Sequence, residues 1–300
     1  MLLENLPSVS QVIVSIAVML LAGYLMSRVT KMLKLPNVTG YIVAGIIIGP
    51  YCLKIVPTNV VQGMSFLADI ALAFIAFSTG EFFKLSTLKK NGGKNIVITV
   101  FEALLASILV FFVMYFALKM SLAFSIVLAS LAAATAPAST MMTIRQTGAH
   151  GDFVDTLLQV VALDDVVGLI AFSVAIAVAT ASLSGQITAK NILLPIVYNL
   201  VAFVVGGVLG FILKLLISNR SSDNRLIIAV AIIFTFCGIC TFMDVSPLLG
   251  CMAMGTVYRN ASGDDKLFKQ LNYFTPPILL LFYVRSGVNF DLGALVSTDS

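Results

Sequence analysis

Residues Val160-Val-Ala-Leu-Asp-Asp-Val-Val-Gly-Leu-Ile170 decide how the rest of the chain is read. Two adjacent carboxylates, Asp164 and Asp165, stand in an otherwise apolar run. That run belongs to a stretch of about 30 residues, 152–181. A helix crosses a bilayer with about 20 mostly apolar residues at about 1.5 Å rise each. The stretch is therefore long enough to span a membrane, and it carries two acids where charge is costly and usually functional.

The composition around this stretch agrees. The chain has 300 residues, 59 % hydrophobic and 11 % charged. Soluble domains run at about 45–50 % apolar and about 25 % charged. With so few charges, lipid must serve as the solvent for much of the surface. Ten candidate spans can be marked, at about 10–29, 38–55, 64–82, 95–118, 121–144, 152–181, 190–217, 225–243, 246–258 and 272–290. The first is preceded by Glu4, not a basic segment, and no small-residue cleavage site follows it. It reads as a span and not as a cleavable signal peptide. The fold class is all-α: a polytopic membrane helical bundle forming one membrane domain.

Basic residues orient the spans, because loops on the cytoplasmic side retain Lys and Arg. With the N-terminus outside, the inner loops hold Arg28, Lys31 and Lys34, then Lys84, Lys89, Lys90 and Lys94, then Arg145. Lys214, Arg220 and Arg225, and then Arg259, Lys266 and Lys269, complete the inner set. These are 14 of the 18 basic residues. Lys54, Lys119 and Lys190 fall outside, and Arg285 lies within a span. An even span number places the C-terminus outside too. The expected location is the cell membrane, multi-pass.

Five charged residues fall inside spans: Asp69, Glu102, Asp164, Asp165 and Arg285. Asp69 lies near an outer surface, where solvation or capping accounts for it as well as transport does. Glu102 stands about 8 residues from the cytoplasmic end of its span, Asp165 and Arg285 about 13, or about 12–20 Å into a core about 30 Å thick. Charges from three spans thus meet near the midplane. A buried ion-pair network that only fastens helices is the bland alternative, but such a network does not require a second adjacent acid. Side chains one residue apart diverge by about 100° on a helix. One of the two aspartates can face a water-filled cavity while the other faces a neighbouring helix. An acid held near neutrality can release a small hard cation when protonated and bind it when ionised. A metal held here would be a transported monovalent cation at Asp165 and Asp164, and no cofactor is expected.

The span before the pair contains Ala132-Ala-Ala-Thr-Ala-Pro-Ala-Ser-Thr140. Pro137 has no N–H, so the Ala133 carbonyl loses its helical partner. A break at the midplane, at Thr135, Ala136 and Pro137, offers free carbonyls and half-helix ends to ions. A simple proline kink is the alternative. Arg285 is always charged and needs an acid in lipid. Glu102 is the first candidate and Asp164 the second.

Other features carry less. His150 is a loop histidine beside Asp152 and Asp155, solvated or pH-sensing. Gly206, Gly207 and Gly210 point to close helix packing, at a dimer or linker helix. Cys237 and Cys240 form a C-x-x-C in an apolar run without metal-binding neighbours, and read as buried small apolar residues with Cys52 and Cys251 outside any disulfide framework. No phosphate-binding loop, zinc spacing, hydrolase constellation or nucleic-acid patch is present in the sequence, so the chain does not read as an enzyme.

Leu35-Pro-Asn-Val-Thr-Gly-Tyr-Ile-Val-Ala-Gly-Ile-Ile-Ile-Gly-Pro50, Leu67-Ala-Asp-Ile-Ala-Leu72, Ala134-Thr-Ala-Pro-Ala138, Ala162-Leu-Asp-Asp-Val-Val-Gly168 and Pro277-Ile-Leu-Leu-Leu-Phe-Tyr-Val-Arg-Ser-Gly287 follow in order. This series resembles the monovalent cation/proton antiporters, or sodium/hydrogen exchangers, in the branch with an Asp-Asp pair. The resemblance implies inverted repeats, alternating access and a homodimer. It implies a moving core from spans at about 95–181 and 272–290, and a dimerisation and linker part from spans at about 10–55 and 190–258. It makes Asp165 the ion and proton carrier and Asp164 its companion, with Arg285 paired to Asp164 or to Glu102. By the family pattern two or three further core helices follow residue 291, so the expectation is a domain, 1–300, incomplete at its C-terminus. The function expected is exchange of Na+, Li+ or K+ for protons. The alternatives are a sodium-coupled organic-anion symporter of similar architecture and a non-transporting fragment that partners a longer relative.

Overall fold

The computed structural model describes residues 3, 7–135, 137–184, 189–218 and 220–291. Among them thirteen α-helices follow one another, with no strand. They are α1 (Ser8–Met32), α2 (Asn37–Ile48), α3 (Thr58–Gly63), α4 (Phe66–Thr79), α5 (Leu85–Phe112), α6 (Leu122–Ala132) and α7 (Pro137–Thr147). Then come α8 (Asp152–Ser184), α9 (Ala189–Ile217), α10 (Ser222–Phe242), α11 (Leu248–Ser262), α12 (Lys266–Phe274) and α13 (Pro276–Val288). Stretches of α1, α5, α8, α9 and α10 are long and apolar enough to cross a membrane, while α2, α6 and α13 are shorter apolar helices.

The expected spans differ from these helices where local chemistry intervenes. The span expected at 38–55 is helical only to Ile48, because Gly49 turns extended and Lys54 adopts a left-handed φ of 52°. The span expected to begin at 95 begins at Leu85, and it ends in a π-helical turn, Val113–Ala117. The span expected at 121–144 divides into α6 and α7 ahead of Pro137. The span expected at 272–290 starts at Pro276, behind the separate helix α12. Proline suits a first helical turn because the N–H it lacks would have no partner there.

Two hairpins share one turn. After α1 the Leu35 N–H bonds the Thr30 carbonyl at 2.8 Å, Lys34 is left-handed at φ 58°, and Pro36 precedes α2. After α10 the Val245 N–H bonds the Cys240 carbonyl at 2.9 Å, Asp244 is left-handed at φ 56°, and Pro247 precedes α11. Both close the helix with the same six-residue backbone bond, over a left-handed residue usually supplied by glycine.

The chain packs as two compact units. The first comprises residues 1–72, 141–148 and 270–300. Its core gathers Met19 of α1, Ala44 and Ile48 of α2, Val60 and Val61 of α3, and Val284 and Val288 of α13. Helices α2 and α13 cross through glycine: a Cβ on Gly45 would strike the Val284 carbonyl, and one on Gly287 the Ile42 carbonyl. Beyond the ends of these helices the Tyr51 hydroxyl donates to Asp291 Oδ1 at 2.5 Å.

The second unit comprises residues 73–140 and 149–269. Helix α9 lies on α11 through Gly206 and Gly210, where a Cβ would meet the carbonyls of Gly250 and Met254. The close packing expected of these glycines is therefore made within the chain, against α11. The end of α4 sits on α11 as well, where a Cβ on Gly255 would strike the Phe77 carbonyl, and on α12, with Phe77 stacked on Phe268 at 5.3 Å between centroids. Asn260 accepts the Leu85 N–H at 2.9 Å and donates to the Phe83 carbonyl at 2.7 Å, which fixes the start of α5. Helices α5, α6 and α8 pack together, and Asn95 of α5 donates to Gln159 of α8 at 2.5 Å in a buried position. Packing thus groups the last span with the first two, and the spans at about 190–258 with those at about 95–181.

Candidate ion-binding site

Helix α6 stops at Ala132, and residues 133–135 leave the helical path before α7 begins at Pro137. Ala133 and Ala134 still donate to Ser130 and Leu131 in tightened bonds of 3.3 Å. The next N–H, that of Thr135, has no helical acceptor. It donates instead to Asp164 Oδ2 on α8, at 2.6 Å. A helix break leaves main-chain groups orphaned. Here an acid from the neighbouring helix takes one of them.

Two residues of α8 make this approach possible. Asp164 and Gly168 are four apart and so share one face. Asp164 is fully buried. At Gly168 an added Cβ would lie 2.9 Å from the Ala134 Cβ, so the break rests directly on the glycine. Gly168 was part of the motif quoted above but not among the expected site residues. Its signal in the sequence is the spacing to Asp164, one turn on.

Asp165 projects from a different face of α8 and is half-buried. Among the described residues no hydrogen bond is made to its carboxylate, and its electrostatic neighbour is Asp164. Asp164 Oδ1 is buried and also without a partner among the described residues. Glu102 of α5 is exposed on the surface of this unit. It lies within electrostatic reach of Asp164, and the Thr135 hydroxyl is a hydrogen-bonding neighbour of both carboxylates. The second unit therefore brings Glu102, Thr135, Asp164 and Asp165 together. Ala136 lies outside the described residues.

Arg285 belongs to the first unit, on α13. Its Nε donates to the Val61 carbonyl at 3.0 Å, at the end of α3. Asp69 is half-buried in the first turn of α4. His150 is exposed in the turn before α8. Cys237, Cys240 and Cys251 are buried free thiols and Cys52 is an exposed one. Among the described residues no cluster of three or more metal-type side chains occurs. The arrangement is instead two adjacent acids and a hydroxyl beside a helix break, with side-chain oxygens of the kind that suit a hard monovalent cation.

A family model described as "Sodium/hydrogen exchanger, transmembrane" matches residues 16–299. The chain belongs to the sodium/hydrogen exchanger family. The exchanger's fold is also similar to a solved structure, that of the sodium proton antiporter MjNhaP1 from Methanocaldococcus jannaschii at pH 8. The TM-score is 0.72 at 21 % sequence identity, over 96 % of this chain and 72 % of that one. No curated protein matches the exchanger in sequence. Family membership and the apolar helices make the exchanger a multi-pass membrane protein that trades cations for protons. The family is one of transporters, which is not an enzyme class.

Proposed function

We propose that Asp165 is the carrier through which this exchanger trades a monovalent cation of the sodium, lithium and potassium class for protons, by alternating access. The observation that carries this reading is the bond from the Thr135 N–H to Asp164. It commits one oxygen of Asp164 to holding the break in place. Asp165, one residue on and 100° around the helix, is left to gain and lose its ligand. Protonated, Asp165 has no charge with which to hold a cation. Ionised, it offers two oxygens to a cation, next to Asp164 on the same helix. Proton and cation then compete for one carboxylate, and the coupling of their movements follows from that competition.

Asp164 serves as companion, with Thr135, Ala136 and Pro137 lining the site and Glu102 with Arg285 as charge pair. The cell membrane, an N-terminus outside, a homodimer, and a core of spans at about 95–181 and 272–290 moving against a fixed part belong to the same proposal. The experiment is proton flux in proteoliposomes loaded with a pH-sensitive dye. A gradient of sodium, lithium or potassium should drive proton movement in the parent chain. D165N should reduce it to the level of empty vesicles. Flux in D165N equal to the parent's would overturn the assignment.

A further inference from the structure

A polar cavity lies apart from the acids of α8, where α9 ends, α10 begins and α11 ends. It encloses about 290 Å³ and is lined by Lys214, Arg225, Tyr258, Ser262, Asp264 and Lys266 among others. Liquid water occupies about 30 Å³ per molecule, so the space takes a small polyatomic group and not only a single water.

The charge of this cavity is unbalanced. Three cations line it against one acid, and the charge of Arg259 reaches the Tyr258 hydroxyl from the same helix. The one acid is largely committed already. Asp264 Oδ1 accepts the Lys266 N–H at 2.8 Å, capping the first turn of α12. Asp264 Oδ2 stands 3.7 Å from Arg225 Nη1, a long contact for an ion pair. Arg225 Nε is buried and has no partner among the described residues. A buried guanidinium donor left unsatisfied is costly, and a ligand oxygen is one way to remove that cost. The local backbone is built to hold the cavity open: Gly263 closes α11 in a left-handed turn at φ 68°, and the Asp264 N–H donates to Ser262 Oγ at 3.3 Å.

We propose that this cavity binds a phosphate-bearing anion. A cation is repelled by the surplus positive charge. A carboxylate would satisfy the fork of Arg225 but would leave the flanking lysines unused. A tetrahedral phosphate offers oxygens in several directions at once, to the planar guanidinium, to two flexible ammonium groups and to the Tyr258 hydroxyl. The cavity lies at the end of α9 and the start of α10, two helices long and apolar enough to cross a membrane. Basic pockets between such helices suit anionic headgroups. The phosphate can come from such a headgroup or from the aqueous phase.

The test uses the full chain in phosphatidylcholine nanodiscs, with thermal unfolding and native mass spectrometry as readouts. One arm adds phosphatidylglycerol to the discs, and the other titrates inorganic phosphate. A headgroup source raises the unfolding temperature saturably with phosphatidylglycerol and retains that lipid in the mass spectrum. A free source does so with inorganic phosphate alone. Either result should be weakened in K214Q/K266Q, with the half-saturating concentration raised about tenfold or more. If the double variant does not fold, K266Q at its exposed position gives the same comparison. The proposal is overturned if neither source shifts the unfolding temperature, or if the shift persists at full strength in the lysine variants.

Discussion

Asp164 and Asp165 are alike as letters and unlike in what holds them. Asp164 accepts a main-chain N–H, so D164N and D164A should behave differently. Asparagine keeps an oxygen that can accept from Thr135, and D164N should fold like the parent. Alanine leaves that N–H orphaned, and D164A should lose about 1–3 kcal/mol of stability, read as a lower unfolding temperature in detergent. Gly168 is argued at the same scale. G168V places branched carbons against Ala134, so the break must move away from α8. Exchange should fall at least tenfold while the protein still reaches the membrane, and unchanged flux would show that the contact with Ala134 has no functional weight. The proposed pairing of Glu102 with Arg285 is tested by charge exchange: E102R and R285E should each abolish flux, and E102R/R285E should restore part of it. The acids and Pro137 were legible in the sequence because charge and proline are costly where they stand. The bond from Thr135 was not legible, because its donor is a main-chain N–H that every residue but proline possesses.

At the scale of the helix, glycine positions govern approach. Gly206 and Gly210 let α9 meet the backbone of α11. G206V would set a side chain into the Gly250 carbonyl, and overpacking of this kind costs about 1–3 kcal/mol or more. The variant should unfold at a lower temperature than G207A, where an added Cβ meets only the Val257 side chain at 3.6 Å. Equal unfolding temperatures would remove α11 as the reason for the glycine. The sequence announced close packing here but not its partner, since a glycine marks an approach without naming what approaches. It also passed over α12, whose nine residues are too few and too mixed to register as a span. An exposed pair joins the first turn of α12 to the residue before it, with Lys269 Nζ 2.8 Å from Asp265. That bond holds the Asp265 carboxyl below its usual range. A lowered acid contributes stability above its ordinary pKa, about 3.9, and loses that contribution as pH falls through the folded value. K269Q should therefore shift acid unfolding to slightly higher pH and change little at neutrality, as exposed pairs are weak.

At the scale of the whole molecule, ten apolar stretches and the sorting of basic residues were enough to assign a membrane bundle. They did not supply the grouping of helices into two packed units, because grouping depends on which small residues meet and not on how apolar each helix is. The shared turn after α1 and after α10 has a consequence for biogenesis. Under the orientation read from the basic residues, the turn at Lys34 lies inside and the turn at Asp244 outside. The same backbone shape thus carries a cation on one side and an anion on the other. Shape at these points is an instruction to the folding chain, whereas charge is an instruction to the insertion machinery. The two can be edited separately: K34D/D244K leaves in each turn a residue type already seen there, yet inverts the charge offered to the translocon at both positions.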